Sequence, residues 1–390
     1  MKQVIRKQIV ENNNIDTTPE TYTLIIDGNS LLKLSLVDKR VNSRGEEYGA
    51  VLQFFWQIRK RLVEKDYNFV YVFWDGLGSG QLRYNYYPEY KANRGKVYRD
   101  EKLGTTYDRL IAQYCNKVIS YHKAKNAEKK KVRNETEDES FERQRLIIRN
   151  MLEHLFVRQL MCVDVEGDDL IAYYVNHRKK GEKITIFSGD RDITQLISDD
   201  VSVYIPQIKK TVTSANHKEL IGYPHENIVI KKMICGDQSD NIKGIKGIGE
   251  KTFFTLFPEA KERKVTLDDI IDRTKVLSEE RKVEKKKPLK SLENILNSVT
   301  DGCQGKMIYE INRIIIDLSH PLLTEDAEEE IEAISYAPID PEGRDYKELY
   351  KIIIENDMNE LLDEKKFSLL FSCFEGLIKK EKKMFAENLV

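Results

Sequence analysis

Three apolar runs in this chain each end on an aspartate, and that repetition constrains the fold more than any other feature. Tyr22 to Ile26 leads into Asp27, Phe69 to Trp74 into Asp75, and Ile184 to Phe187 into Ser188, Gly189, Asp190, Arg191 and Asp192. The runs are short and rich in β-branched and aromatic residues, the signature of buried strands. In an open α/β sheet the ligand crevice lies beyond the carboxyl ends of the strands. The three ends are therefore predicted to converge on one edge. A fourth acidic group, Glu166, Asp168 and Asp169, opens a predicted helix whose apolar positions Leu170, Ile171, Tyr174 and Val175 face the sheet.

A fifth group sits in residues 235–252, CGDQSDNIKGIKGIGEKT. Asp237 and Asp240 stand three apart, which on a helix places them on one face. Two such charges repel by roughly 4 kcal/mol at ~4 Å and an effective dielectric of about 20 unless a cation lies between them. A divalent metal resolves that repulsion. Downstream, Gly244, Gly247 and Gly249 allow a tight turn whose amides can approach a phosphate, and Lys251 and Thr252 open the next helix with its favourable N-terminal dipole. A metal site and a phosphate cradle are thus adjacent in the chain.

Taken singly, each acid has a plain structural explanation. Asp168 or Asp169 serves as a helix cap or first-turn acid, Asp75 before Gly76 as a turn residue, and Asp190 and Asp192 as loop residues like Asp199 and Asp200. Caps and turns do not, however, require acids from separate segments at one sheet edge, followed by a phosphate-binding turn. The conjunction points to metal-assisted phosphoryl chemistry. An all-oxygen donor set without histidine or cysteine suits Mg2+ or Mn2+ better than zinc.

The segments LIIDGNSLL (24–32), VYVFWDG (70–76), PEYKANR (88–94), VEGDDLIAYY (165–174), FSGDRDITQLI (187–197) and GDQSDNIKGIKGIGEKT (236–252) stand in an order that resembles the metal-dependent 5′-nucleases. That family includes flap endonucleases, the 5′-nuclease domain of DNA polymerase I, and phage 5′-exonucleases and ribonuclease H enzymes of this type. The resemblance implies an α/β fold with a PIN-like central, mostly parallel sheet flanked by helices, a helical arch and a helix–three-turn–helix DNA-binding element. It implies cleavage at 5′ ends or 5′ flaps with two Mg2+ ions (or Mn2+), and K+ at the helix–three-turn–helix. By the same resemblance Asp27, Asp75, Glu166, Asp168 and Asp190 serve the first metal, with Asp169 ordering it through water; Asp192, Asp237 and Asp240 serve the second. Lys91 and Arg94 reach the scissile phosphate, Tyr90 offers a ring for a terminal base, with Tyr86 and Tyr87 as further candidates, and Lys243, Gly244, Lys246, Gly247, Gly249, Lys251 and Thr252 grip the duplex. Many relatives carry proline in that turn; Lys243 and Lys246 here keep the glycines and add positive charge.

The chain divides into a polar leader (1–21), a nuclease core (22–232) containing the arch at about 84–158, and a helix–three-turn–helix with C-terminal helices (233–390). The net charge of −1 conceals an uneven distribution. The arch segment carries Lys96, Arg99, Lys123, Lys125, Lys129, Lys130, Lys131 and Arg133, followed by acids at 135–142. Residues 259–292 read as charged helices, with Lys282 to Lys290 either a solvated loop or an added phosphate contact, and 308–318 as a buried helix or strand. The five cysteines are far apart and show no metal-ligand or disulfide spacing, which fits a reducing cytoplasm, and no apolar run is long enough to span a bilayer. The expected partners are branched, flapped, nicked or gapped DNA, and RNA–DNA hybrid, acted on by a monomer, with no membrane. The overall look is closest to phage members acting alone in replication or repair. Two other classes compete: a PIN-like ribonuclease, which would lack the GIKGIGEKT turn, and a non-catalytic DNA-structure-binding protein, which would have lost carboxylates.

Overall fold

The computed structural model of the chain describes residues 20–94, 136–300 and 304–389. Strand β1 (Tyr22–Asp27) runs into helices α1 (Gly28–Ser35) and α2 (Gly49–Glu64), then β2 (Phe69–Phe73), α3 (Gln81–Tyr86) and a 3₁₀ turn Ala92–Arg94. Helix α4 (Glu137–His154) precedes β3 (Arg158–Leu160), α5 (Gly167–Asn176), β4 (Lys183–Phe187), the 3₁₀ segment Asp192–Leu196, β5 (Val201–Ile205) and β6 (Lys210–Val212). After α6 (His217–Ile221) come α7 (Ile228–Cys235), a two-stranded hairpin β7 (Gly236–Asp237) and β8 (Ile242–Lys243), and α8 (Glu250–Leu256). The remainder is helical: α9 (Leu267–Val283), α10 (Lys290–Ser298), α11 (Gln304–Ile316), α12 (Glu325–Ile334), α13 (Tyr346–Glu355), α14 (Glu364–Phe371) and α15 (Glu375–Glu387).

The main sheet has the order β3-β2-β1-β4-β5-β6, parallel except for β6. The chain builds outward from β1 to β3 and then restarts on the other side with β4, so the topological switch lies between β1 and β4. That is where such sheets open a crevice at their carboxyl edge. Side chains alternate across the sheet with the period of two that strands impose. Leu24, Ile26, Val70 and Val72 enter one core with α2 and α4, while Ile25, Tyr71 and Phe73 enter the other with α5 and α12. Leu170, Ile171, Tyr174 and Val175 are buried in the second core, as their spacing predicts.

Two expectations about organisation change. The arch cannot extend to residue 158. Helix α4, opened by a Thr136/Glu139 capping box, places Ile147, Ile148, Met151 and Leu152 in the sheet core. The boundary at residue 232 does not separate two units either. The helix of Leu349 and Ile353 returns to pack on α4, Phe371 and Phe374 pack on Phe55 of α2, and a buried ion pair joins Arg158 of β3 to Glu381 of α15. Residues 308–318 resolve as the end of helix α11, and 259–292 as the charged pair α9 and α10. The polar leader except Glu20 and Thr21, and the basic residues Lys96 to Arg133, lie outside the described residues, as do Cys115 and Cys303. No helix among the described residues is long and apolar enough to cross a membrane.

Candidate active site

Eight carboxylates, Asp27, Asp75, Glu166, Asp168, Asp190, Asp192, Asp237 and Asp240, line one cavity of about 330 Å³ at the carboxyl edge of the sheet. The strand ends deliver the first of them with little freedom. Asp27 ends β1 and caps α1, its Oδ1 accepting the Ser30 N–H at 2.9 Å. Its Oδ2 accepts the Ser188 hydroxyl at 2.7 Å, which bridges the switch between β1 and β4. Asp75 is held from both sides, by the Asn29 amide at 2.6 Å and by the Gly167 N–H at 2.9 Å. Asp190 accepts the Asp192 N–H at 2.8 Å through Oδ1 and is the exposed member of the group.

Crowding shows in the proton affinities. Burial, then the facing Asp75 and Asp190, raise the Asp27 carboxyl to about 7. Burial and the charges of Asp27, Asp190, Asp75 and Glu166 push Asp168 well above the ordinary range. Glu166 behaves in the opposite way: burial opposes its charge, but Arg83 and Lys91 outweigh burial and hold it below the usual carboxylate range. The Lys91 ammonium lies 2.6 Å from Glu166 Oε1, and its backbone N–H donates to the Asp240 carbonyl at 2.8 Å. Lys91 takes a left-handed backbone, φ 52°, unusual for a side-chain-bearing residue. Hydrogen bonds from Tyr87 to the Asn241 carbonyl, from Asn241 to the Glu89 carbonyl and from Asn93 to the Gln238 carbonyl fasten this segment to the β7–β8 hairpin. Arg94 ends the 3₁₀ turn, one turn beyond Lys91.

Asp192 and Asp237 lie together at Lys232, whereas Asp240 lies by Tyr90, whose hydroxyl is 3.5 Å from its Oδ2; neither Asp237 nor Asp240 is on a helix. Gly236, at φ 74°, ends α7, so Asp237 falls in β7 and Asp240 in the turn before β8. The tight turn still brings both to the cavity. Lys232, on the last turn of α7, binds Asp192 and Asp237 together, the latter at 2.5 Å. Burial raises Asp192 despite Lys232, whereas for Asp237 the opposing pull of Lys232 and the Ser239 donors wins and its carboxyl is lowered.

Two assignments need correction. Asp169 does not face the cavity. It is 1 % exposed, and its Oδ1 accepts from Arg83 at 3.1 Å and from the Leu322 N–H at 2.9 Å, so it holds Arg83 in place from behind the cavity wall. Tyr90 is 2 % exposed, with its hydroxyl donating to Glu166 at 3.1 Å, so its ring is not open to a base; of its neighbours Tyr86 is the exposed one. Sequence reasoning also missed Arg83, which additionally donates to the Ile315 carbonyl at 3.0 Å, and Lys232. The available signal for Lys232 was a cation pair, Lys231 and Lys232, inside the otherwise apolar IVIKKMIC helix; Arg83 offered none.

The phosphate turn is built as its glycines predict. A Cβ at Gly244 would lie 2.2 Å from the Cys235 carbonyl carbon, and Gly247 sits at φ 86°. Gly249 caps α8, which begins Glu250, Lys251, Thr252. Lys246 and Lys251 are exposed, while Lys243 binds Glu89 at 2.7 Å. The α7–hairpin–turn–α8 unit has its own core of Ile234, Ile245, Ile248, Phe253 and Phe257.

Among the described residues no three acidic, histidine or cysteine side chains already close on one point as a preformed metal cage. The carboxylates ring the cavity instead, with the ammonium groups of Lys91 and Lys232 between them. Their chemistry nonetheless fits hard divalent cations, because oxygen is the only donor and the mutual repulsion around Asp27 and Asp168 is what such a cation relieves.

Residues 22–222 match the family described as "5'-3' exonuclease, N-terminal resolvase-like domain". A thermostable DNA polymerase I of Thermus caldophilus is 28% identical over 244 residues, 62% of this chain and 24% of the polymerase. DNA polymerase I of Bacillus subtilis (strain 168) is 34% identical over 128 residues, 32% of this chain and 14% of that protein. The match thus spans about a quarter of these polymerases or less. Among solved structures, the bacteriophage T5 D15 protein co-crystallized with metal ions has a similar fold, with a TM-score of 0.52 at 20% identity over 86% of this chain and 98% of that one. The T5 D15 flap endonuclease in a pseudo-enzyme–product complex with DNA and metal ions gives the same TM-score, over 86% and 99%.

Proposed function

The chain belongs to the 5′-3′ exonuclease family, and we propose that it is a structure-specific nuclease that hydrolyses phosphodiesters at the 5′ ends and 5′ flaps of duplex DNA with divalent metal ions. The observation that carries this reading is the ring of eight carboxylates from five separate segments around one cavity. Asp27, Asp75, Glu166, Asp168 and Asp190 would hold one Mg2+ or Mn2+, and Asp192, Asp237 and Asp240 a second. Such a pair supplies an activated water and neutralises charge on the phosphoryl group and the leaving oxygen.

The chain's own residues do the rest. Lys91, held by Glu166 and by the Asp240 carbonyl, presents a fixed positive charge to a phosphate entering the cavity. Arg83 keeps Glu166 charged and in place while remaining buried itself. Asn29, Ser188 and the Gly167 N–H orient Asp75 and Asp27 before any substrate arrives, so the carboxylates need little reorganisation. Lys232 neutralises Asp192 and Asp237 and must yield when they take a cation. Lys246 and Lys251, beside the amides of the glycine turn, suit the phosphates of a duplex, with K+ at that turn as part of the same reading. Flapped, nicked and gapped DNA, and RNA–DNA hybrid, form the proposed substrate class, acted on by a monomer.

The direct test digests a labelled 5′-flapped duplex and a closed-circular single strand with Mg2+ or with EDTA, using wild type and Asp190→Asn. Magnesium-dependent cutting of the flap by wild type alone supports the reading. Tight flap binding without any cutting would leave only a DNA-structure-binding protein.

A further inference from the structure

The α9–α10 hairpin is the most basic described surface with no part in the site. Residues 281–290, RKVEKKKPLK, carry six cations and one acid. A solvated loop would explain them unless the hairpin is tied to the glycine turn, and it is. Asn294, one turn into α10, donates to the Lys246 carbonyl of the glycine turn at 2.7 Å. Lys290 stands four residues before Asn294 and therefore on the same helix face, about 6 Å along the axis from that tether. Ile270 of α9 and Ile295 of α10 are fully buried in the same apolar cluster as Ile245, Ile248 and Phe253. The hairpin is thus packed rigidly against the phosphate turn.

The tip is also ordered in a way that leaves cations outward. The Lys286 N–H donates to the Arg281 carbonyl at 2.9 Å and the Lys285 N–H to the Lys282 carbonyl at 3.0 Å. This closes α9 with Lys285 at φ 56°, a position where glycine is ordinarily favoured. The Arg281 guanidinium donates twice to the Lys287 carbonyl and so braces the loop. Lys282 and Lys286 pair with Glu279 and Glu284, whereas no described acid pairs with Lys285, Lys287 or Lys290. Lys246 and Lys251 of the turn are likewise without an acidic partner among the described residues.

We propose that Lys285, Lys287 and Lys290 extend the phosphate-binding surface of the glycine turn, so that the α9–α10 hairpin holds the backbone of duplex DNA beyond the segment gripped by the turn. The inference rests on the duplex-gripping role proposed above for that turn. Successive phosphates on one strand are spaced about 3.4 Å along the duplex axis, so where α10 follows that axis a displacement of about 6 Å corresponds to roughly two further nucleotides before the tip is reached. Contacts of this kind act through charge and carry no sequence preference.

The test is the salt dependence of binding of the full chain to a labelled 5′-flapped duplex, by anisotropy in EDTA so that no cutting occurs. The Lys285→Gly/Lys287→Ala/Lys290→Ala variant removes the charges, and glycine keeps the left-handed backbone. Each lost phosphate contact lowers the slope of log K against log salt by about 0.9, so three lower it by about 2.7, and the affinity gap from wild type closes roughly 40-fold between 50 and 200 mM salt. Arginine at the three positions should retain the wild-type slope. A shortened duplex arm that ends at the turn should bind wild type and variant alike. An unchanged slope in the tip variant, when Lys246→Ala/Lys251→Ala lowers it, would overturn the inference and leave the turn's role standing. No change in either variant would remove both.

Discussion

The two halves of the carboxylate ring are built on different principles. Asp27, Asp75, Glu166 and Asp168 sit at strand ends and on the first turn of a helix, where backbone N–H groups and buried side chains fix them, and the exposed Asp190 completes this half from the loop after β4. Asp192, Asp237 and Asp240 sit on a 3₁₀ turn and a two-stranded hairpin, and a single lysine neutralises two of them. The first half stores repulsion in a rigid frame and thereby favours a cation. In the second, Lys232 already compensates Asp237 and holds Asp192, so a cation entering between those two has to displace it. The difference predicts a tight site and a loose one.

The largest expected effect separates the halves directly. Asp190→Asn should lower kcat by at least about 10³-fold, the upper range for one preorganised electrostatic group. Asp237→Asn should lower activity by roughly 10–100-fold, with partial recovery at high Mg2+; equal losses that excess metal cannot rescue would erase the distinction. Arg83→Met comes next. It leaves Asp169 buried without its partner, and stability should fall by about 3–5 kcal/mol, read by denaturant melts beside the milder Arg83→Lys.

The pH response tests the stored repulsion. A carboxyl raised from 3.8 to about 7 binds its proton more tightly in the folded state, so the contribution of Asp27 to metal-free stability is fully present below the ordinary value and declines as pH rises toward 7. The loss is on the order of a few kcal/mol. Mg2+ should therefore raise Tm more at pH 8 than at pH 5; the reverse order would contradict this account of the first half. The smallest effect belongs to Lys232→Met, which removes the competing cation and should tighten Mn2+ binding at the looser site on the order of tenfold by calorimetry.

The same contrast explains what could be read from the sequence. Strand ends that terminate on aspartate are local signals, and together with the GDD helix start they point to the sheet edge where Asp27, Asp75, Asp168 and Asp190 line one cavity. The Asp237–Asp240 spacing suggested a helix face because three-residue spacing fits one; Gly236, the residue at which α7 stops, was the local sign against it. Asp169 and Asp168 are adjacent and identical in type, and only the burial of Arg83 tells a metal-facing acid from a structural one. Tyr90 fails as a stacking platform for a similar reason, since its exposure depends on Glu166, some 76 residues away in the chain. The return of α13 onto α4 and of α14 onto α2 is long-range pairing of apolar faces, which no local pattern specifies.

That return sets an order on how the protein is made. All eight acids have been polymerised once Asp240 is in the chain, yet the faces of α2 and α4 wait for residues near Tyr346 and beyond. At about 5–20 residues per second the interval is on the order of 5–20 s. During it the growing polypeptide carries its full set of acids on a sheet whose outer helices are still uncovered. A chain stopped at residue 345 should bind a hydrophobic dye that the complete chain does not. Helices α13 and α14, remote from the chemistry, thereby close the core only well after the last of the acids has been made.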